Sequence, residues 1–290
     1  MRIAAALAAM AITAAHAQAQ DAETAFDGRS LAMALDDRCE LYAVSERSAL
    51  DASWLQARGV LIRSGYEPSV LTTRYAALSR RAQTMPCDSS DAQAIAADVA
   101  FAFRTLGRVR EMDFPGIERV WRAERPYPEF PAWTLAQYPV AGDAGHVFGF
   151  FHAEGVRSLA LGLPATSVAT TARIVMRDAE LSPALTDASL GGLLVVPGRP
   201  GWVRYAPPAH AEAVIWASAR QSGGGMLRFE FPRRAVEALI ALDPRETVRI
   251  ETLDARGRVT DILFIEIGDF AAGEAFLSAG PGADSGAAGG

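Results

Sequence analysis

A change in hydrophobic periodicity near residue 110 most constrains the fold of this chain. Before it, apolar residues recur every three to four positions, as they do in amphipathic helices. From about His146 onward they alternate or form short runs separated by glycine and proline, which is typical of strands. This order of elements predicts an α+β chain. We expect a small N-terminal bundle of about four helices, followed by a β-rich antiparallel sheet or sandwich with two short helices.

Four helical segments are predicted in a domain over residues 26–111. The first carries an apolar stripe that extends to Tyr42. The second is predicted to be capped by Ser45, and the fourth by Asp88 or Ser90, because serine and aspartate side chains accept hydrogen bonds from the first helical N–H groups. Pro68 suits the first turn of the third helix, where its missing N–H costs nothing.

The β-rich domain is predicted over residues 140–279. Met226–Phe231 alternates most clearly, with Arg228 and Glu230 on the face opposite the apolar side chains. One short helix is expected after Pro232 and another after Asp269. The other predicted strands are His146–His152, Val156–Leu163, Ala172–Arg177, Leu193–Val196, Trp202–Ala206, Ala213–Ala217, Thr247–Leu253 and Val259–Ile267.

The stretch 112–139 between these domains contains five prolines and six aromatic residues, among them Trp121, Tyr127, Phe130 and Trp133. Proline removes a backbone donor and disfavours helix in the preceding residue. We therefore predict an extended segment that crosses between the two domains, interrupted by a short helix around Ile117–Ala123. The small and polar residues 280–290 are predicted to be a disordered tail.

The N-terminus has the pattern of a signal peptide over residues 1–19. Arg2 precedes an apolar run, Ile3–Ala15, and small residues follow at Ala17 and Ala19. A positive start, a short apolar core and small residues before the cleavage point are what signal peptidase recognises. The run is too short to span the roughly 30 Å of a bilayer core. We expect an exported protein without a membrane span.

Two absences in the composition exclude several kinds of chemistry. All 28 basic residues are arginine, and the chain contains no asparagine. Without lysine, Schiff-base chemistry and the lysine-containing phosphate-binding loop are excluded. The net charge of −6 argues against general binding to nucleic acid. A chain rich in alanine and arginine that lacks lysine and asparagine indicates a GC-rich coding sequence and therefore a bacterial protein. An exported bacterial protein of this kind is expected in the periplasm.

Cys39 and Cys87 are the only cysteines in the sequence. In an exported protein, two cysteines predict one intramolecular disulfide. Cys39 lies on the apolar stripe of the first helix, and Cys87 lies at the entrance to the fourth. The bond is therefore expected to join the first and last helices of the bundle.

His152 and Glu154 form the one candidate for metal binding or hydrolysis. Strand alternation would place both side chains on one face, where they could reach the same metal ion. No third ligand lies nearby in sequence, so the plain alternative is two polar residues at a strand end. A periplasmic hydrolase using His152 and Glu154, with or without metal, is one alternative function, and a small-anion-binding protein using Arg233 and Arg234 is the other.

Arg233 and Arg234 form the candidate anion site. They occupy the first turn after Pro232, where positive charge opposes the helix dipole but could attract a carboxylate, phosphate or sulfate. The alternative is that Arg233 pairs with Glu237 one turn later while Arg234 is solvated.

The scarcity of catalytic residue types favours a non-catalytic binding or interaction protein of the cell envelope, without a cofactor. The partner would be an envelope protein or a small ligand. This hypothesis predicts an exposed apolar patch near the aromatic segment 112–139.

Overall fold

A computed structural model describes residues 3–116, 119–125, 130–138, 145–181, 194–195, 203–204 and 212–279, with the backbone alone for residues 3–19, 194–195 and 203–204. The chain divides into two compact units, one comprising residues up to Val109 together with Ser278 and Ala279, and the other residues 110–277. Helices in the first part and antiparallel sheets in the second confirm the predicted α+β class.

Four helices build the first unit: α1 (Ile3–Cys39), α2 (Val44–Arg63), α3 (Pro68–Thr84) and α4 (Ser90–Leu106). Pro68 opens α3 as predicted. Ser45 is not the cap of α2, because the helix begins one residue earlier and the Glu46 carboxylate accepts the Ala43 N–H at 3.0 Å. The cap of α4 is Ser89, whose hydroxyl accepts the Ala92 N–H, and neither of the two residues predicted for this position.

An aromatic cluster and a forked ion pair hold the helical unit together. The Trp54 ring stacks on Phe26 of α1 and meets the edge of Tyr75 of α3. Arg74 of α3 donates to both oxygens of Asp27 on α1, at 2.5 and 2.7 Å. A guanidinium that makes two parallel hydrogen bonds to one carboxylate has a defined orientation, so this pair helps to position α3 against α1.

The predicted disulfide between Cys39 and Cys87 is confirmed. The two Cα atoms lie 5.7 Å apart, and the bond closes a loop of 48 residues. Cys39 is the last residue of α1, and Cys87 lies in the connection between α3 and α4. The bond therefore ties the end of the first helix to the chain entering the last.

The second unit contains a seven-stranded antiparallel sheet in the order β1-β2-β3-β4-β5-β11-β10 and a four-stranded antiparallel sheet in the order β13-β12-β6-β9. A pair of short strands, β7 and β8, forms a third sheet. The strands are β1 (Glu111–Pro115), β2 (Val120–Glu124), β3 (Ala132–Gln137), β4 (Val147–Ala153), β5 (Val156–Pro164), β6 (Thr171–Arg177), β7 (Leu194–Val195), β8 (Val203–Arg204), β9 (Glu212–Trp216), β10 (Ala219–Gly223), β11 (Met226–Phe231), β12 (Thr247–Leu253) and β13 (Val259–Glu266). Two short helices, α5 (Arg233–Ile240) and α6 (Phe270–Ser278), complete the unit.

The described part of the segment 112–139 is extended, as the prolines predicted. It supplies most of β1 and all of β2 and β3, which pair with one another and with β4. The predicted helix over Ile117–Ala123 is wrong, because Val120–Ala123 belong to β2. Proline did not prevent pairing here, since Pro115 is the last residue of the edge strand β1 and Pro131 precedes β3.

A buried polar network fastens the seven-stranded sheet to the end of β13. The Gln137 side-chain amide exchanges two hydrogen bonds with the backbone of Glu266, both at 3.0 Å. The Trp121 indole N–H donates to the carbonyl oxygens of Glu266 and Ile267. These hydrogen bonds satisfy buried polar groups and connect the seven-stranded sheet to the end of β13 in the four-stranded sheet.

The described helices include none that combines the length and the apolar character needed to cross a membrane. Ala17 and Ala19, at the predicted cleavage point, are residues of α1. Only the backbone is described at these two positions. The predicted tail 280–290 also lies outside the described residues.

Candidate functional site

The outer face of the seven-stranded sheet carries a layer of large side chains over a floor of small ones. We call Trp133, Phe151, Met226 and Arg228 the platform. In β4, Phe148 and Phe150 are buried on the opposite face of the sheet. Strand alternation therefore directs Phe151 to the outer face.

Small residues make the floor beneath the platform. Ala136 of β3, Gly149 of β4 and Ala160 of β5 are direct cross-strand partners in one row. Gly162 lies one row further along β5. A Cβ at Gly162 would lie 2.5 Å from the Met226 Cε and 2.8 Å from the Trp133 Cζ2. The large side chains thus rest directly on the backbone of the sheet.

Ring contacts and a guanidinium join the members of the platform. The Trp133 and Phe151 rings meet edge to face with centroids 5.4 Å apart. The Arg228 Cζ lies 4.0 Å from the centre of the Phe151 ring, within the range of a cation–π interaction. Arg228 also makes two hydrogen bonds: Nε donates to Glu230 at 3.1 Å, and Nη2 donates to Gln221. The guanidinium therefore contacts both an aromatic ring and two polar side chains.

The platform is partly exposed and has exposed apolar neighbours in sequence. Trp133, Phe151 and Met226 are each intermediate in burial. Tyr138, directly after β3, is 53% exposed, and Phe130, shortly before it, is 65% exposed. Phe130, Trp133 and Tyr138 belong to the aromatic segment 112–139, near which the sequence predicted an exposed apolar patch.

Gly162→Ala tests whether the platform depends on its floor. We expect the added methyl group to displace Trp133 and Met226 and to lower the free energy of unfolding by about 1–3 kcal/mol, as overpacking does. Near-ultraviolet circular dichroism should change with the environment of Trp133. Gly223→Ala is the matched control, since a Cβ at Gly223 meets nothing within 4 Å. Equal stability of the two variants would contradict the packing described here.

The structure does not bring His152 and Glu154 onto one face. His152 is the second-to-last residue of β4, where its cross-strand partner is Arg157. Glu154 and Gly155 instead form the two-residue turn between β4 and β5, with φ of 52° and 77°. Positive φ at both positions is typical of a type I′ turn. The strand alternation that suggested a shared metal ion therefore ends one residue before Glu154.

The surroundings of His152 are apolar and basic rather than metal-binding. Its buried Nε2 has no hydrogen-bond partner among the described residues. Arg157 lies over the Phe150 ring and pairs with Glu274 of α6 at 3.3 Å. Burial lowers the pKa of Arg157, and the charge of Glu274 opposes this. Within the described part of the chain, no cluster of three or more His, Cys, Asp or Glu side chains could hold a metal ion.

Arg233 and Arg234 begin α5 as the sequence predicted. Arg233 is 92% exposed and pairs with Glu237 at 3.4 Å, one turn along the helix. Arg234 is also exposed. An Arg233–Glu237 ion pair beside an exposed Arg234 is the arrangement that the sequence analysis gave as the alternative to an anion site.

Sequence reasoning identified part of the platform. The alternation of β11 placed Arg228 and Glu230 on one face, and Trp133 was recognised as part of an aromatic segment. Nothing indicated that β3, β4 and β11 would bring Trp133, Phe151 and Arg228 together. The one local signal was the series of small residues at alternate positions of β5, namely Ser158, Ala160 and Gly162.

Comparisons of the chain with protein-family models, with curated proteins and with solved structures find no match.

Proposed function

We propose that this chain is an exported, periplasmic, non-catalytic interaction protein of the bacterial cell envelope, which binds another envelope protein on the platform. The observation that carries the proposal is the partly exposed layer of Trp133, Phe151 and Arg228 over a floor of small residues. Tryptophan and arginine are enriched among the residues that dominate the energy of protein interfaces.

The charge of the platform favours a protein partner over a small anion. Arg228 already pairs with Glu230 at 3.1 Å, so an anion would compete with a carboxylate that is held in place. The two side chains are only 19% and 20% exposed. An ordered, internally neutralised guanidinium beside aromatic rings suits apolar and aromatic side chains of a partner.

Support for the compartment comes from the helical unit and the N-terminus. The Cys39–Cys87 disulfide is compatible with an oxidising compartment such as the periplasm. The basic residue, apolar run and small residues over 1–19 fit an export signal.

A photo-cross-linking amino acid at Ser158 tests the proposal in intact cells. Ser158 is the cross-strand partner of Phe151. We expect a discrete adduct with one envelope protein, identified by mass spectrometry. The same group at Thr72, an exposed position of α3, is the control and should not form this adduct. Absence of the adduct at Ser158, or its equal formation at Thr72, would refute the proposed surface.

Affinity for the captured protein then tests the platform itself. Trp133→Ala should weaken binding about thirtyfold, the loss expected for an aromatic residue at an interface centre. Trp133→Phe, which retains a ring, should lose less. Val44→Ala in the helical unit is the apolar control, since Val44 is 77% exposed and far from the sheet in sequence. Unchanged binding by Trp133→Ala would show that the platform is not the contact.

A further inference from the structure

Among the described residues, the strand β9 (Glu212–Trp216) is an edge of the four-stranded sheet, with one side paired to β6 and no strand on the other. The Ala217 N–H donates to the Ala172 carbonyl at 2.9 Å, just beyond the end of the strand. In an antiparallel pair the bonded residues alternate. Ala213 and Ile215 therefore bond to β6, whereas Glu212, Val214 and Trp216 direct their N–H and C=O groups outward.

The outward residues also carry exposed apolar side chains. Val214 is 40% exposed and Trp216 is 43% exposed. Arg173 covers one side of the Trp216 ring, with its Cζ 5.1 Å from the ring centre. An edge strand with outward backbone groups and exposed apolar side chains is a template for adding another strand.

The other three edge strands of the two larger sheets carry features that discourage such pairing. β1 contains the exposed Asp113 and ends at Pro115. β10 is exposed along its whole length and has no large apolar side chain, and β13 carries Asp261 beside a register shift in its ladder with β12. Natural sheets protect their edges with charges, proline and irregularities of this kind. β9 has a single charge, Glu212, at its first residue.

We propose that β9 pairs antiparallel with β9 of a second copy of this chain, about a two-fold axis at Val214. This register places Val214 opposite Val214 and Glu212 opposite Trp216. Each outward N–H then meets an outward C=O of the other copy.

The side chains are complementary in the same register. The Trp216 indole N–H has no partner among the described residues, and Glu212 of the second copy brings a carboxylate next to it. Glu212 is already held by Arg249 at 3.1 Å, so the carboxylate is oriented before pairing. A two-fold interface uses the same patch on both copies, which requires self-complementarity of this kind. The pairing extends the four-stranded sheet across two chains and is independent of the platform.

Val214→Lys and Val214→Glu test the pairing and its register. Because Val214 is exposed, the charged side chains should reach solvent without disturbing the fold. Each variant alone places like charges directly opposite each other, and we expect the dissociation constant of the dimer to rise about tenfold or more. An equimolar mixture of the two variants should associate again as the mixed dimer, which native mass spectrometry distinguishes by mass. Val214→Thr retains a β-branched side chain without charge and should dimerise like the natural chain.

Circular dichroism and thermal unfolding verify that each variant is folded. Hydrogen exchange of the Val214 amide in the natural chain should slow as the protein concentration rises. A natural chain that stays monomeric over the concentration series would overturn the proposal. So would unchanged dimerisation of Val214→Lys, a charged mixture that does not associate, or a complex in which a different polypeptide occupies β9.

Discussion

Replacing both Cys39 and Cys87 with alanine should lower the free energy of unfolding of the helical unit by about 4 kcal/mol. The bond closes a loop of 48 residues and therefore restricts the unfolded chain more than the folded one. Both cysteines are replaced so that no unpaired thiol confuses the result. Hydrogen exchange read by mass spectrometry, peptide by peptide, should show faster exchange in α1, α3 and α4, while β12 and β13 keep their protection.

Reduction of the natural chain provides the control. A thiol reductant should shift the denaturant midpoint of the helical unit towards that of the alanine variant and leave the alanine variant unchanged. Equal midpoints for the oxidised natural chain and the alanine variant would show that the bond does not stabilise the fold.

Replacing Arg177 with methionine should destabilise the β-rich unit by about 3–5 kcal/mol, because it leaves a buried carboxylate without its cation. Arg177 of β6 and Glu246 are 3% and 2% exposed, and the Arg177 Nη2 donates to Glu246 at 2.7 Å. Chemical denaturation followed through the β-rich unit measures the loss. Arg258→Met, which removes the exposed partner of Asp254, is the matched control and should have little effect.

The loss in Arg177→Met should also depend on pH. Burial raises the pKa of Glu246 above its ordinary value, and Arg177 opposes that shift. Without Arg177 the pKa of Glu246 rises further, so the folded state holds the Glu246 proton more tightly than the unfolded chain does. The stability of the variant should therefore be greatest at acidic pH and fall as pH rises through this raised pKa. A loss independent of pH would indicate that Glu246 finds another cation.

Local patterns of the sequence predicted most of the secondary structure. The alternation of Met226–Phe231 is present in β11, where buried and half-buried residues alternate, and the predicted strands Thr247–Leu253 and Val259–Ile267 are present as β12 and β13. The cap positions of α2 and α4 were each displaced by a residue or more. Several neighbouring polar side chains can serve as a cap, and the choice among them depends on packing.

The strand pairing of the segment 112–139 could not be predicted from the sequence, because its strands lack strong alternation and lie between prolines. Whether Val120–Glu124 forms a helix or a strand is decided by its partners, since the propensities of a five-residue stretch are weak. Here the partners are β1 on one side and β3 on the other.

Features that lie within one element could be predicted from the sequence, whereas features that join several strands could not. The sequence by itself determined the α+β class, the disulfide partners and the faces of β11, because each depends on composition or on spacing along one element. The tertiary structure alone decided that Glu154 lies in a turn beyond the end of β4, that Trp133 and Arg228 both contact Phe151, and that β9 is an edge among the described strands. These depend on which strands become neighbours, and strand pairing joins residues that are far apart in the chain and share no local pattern.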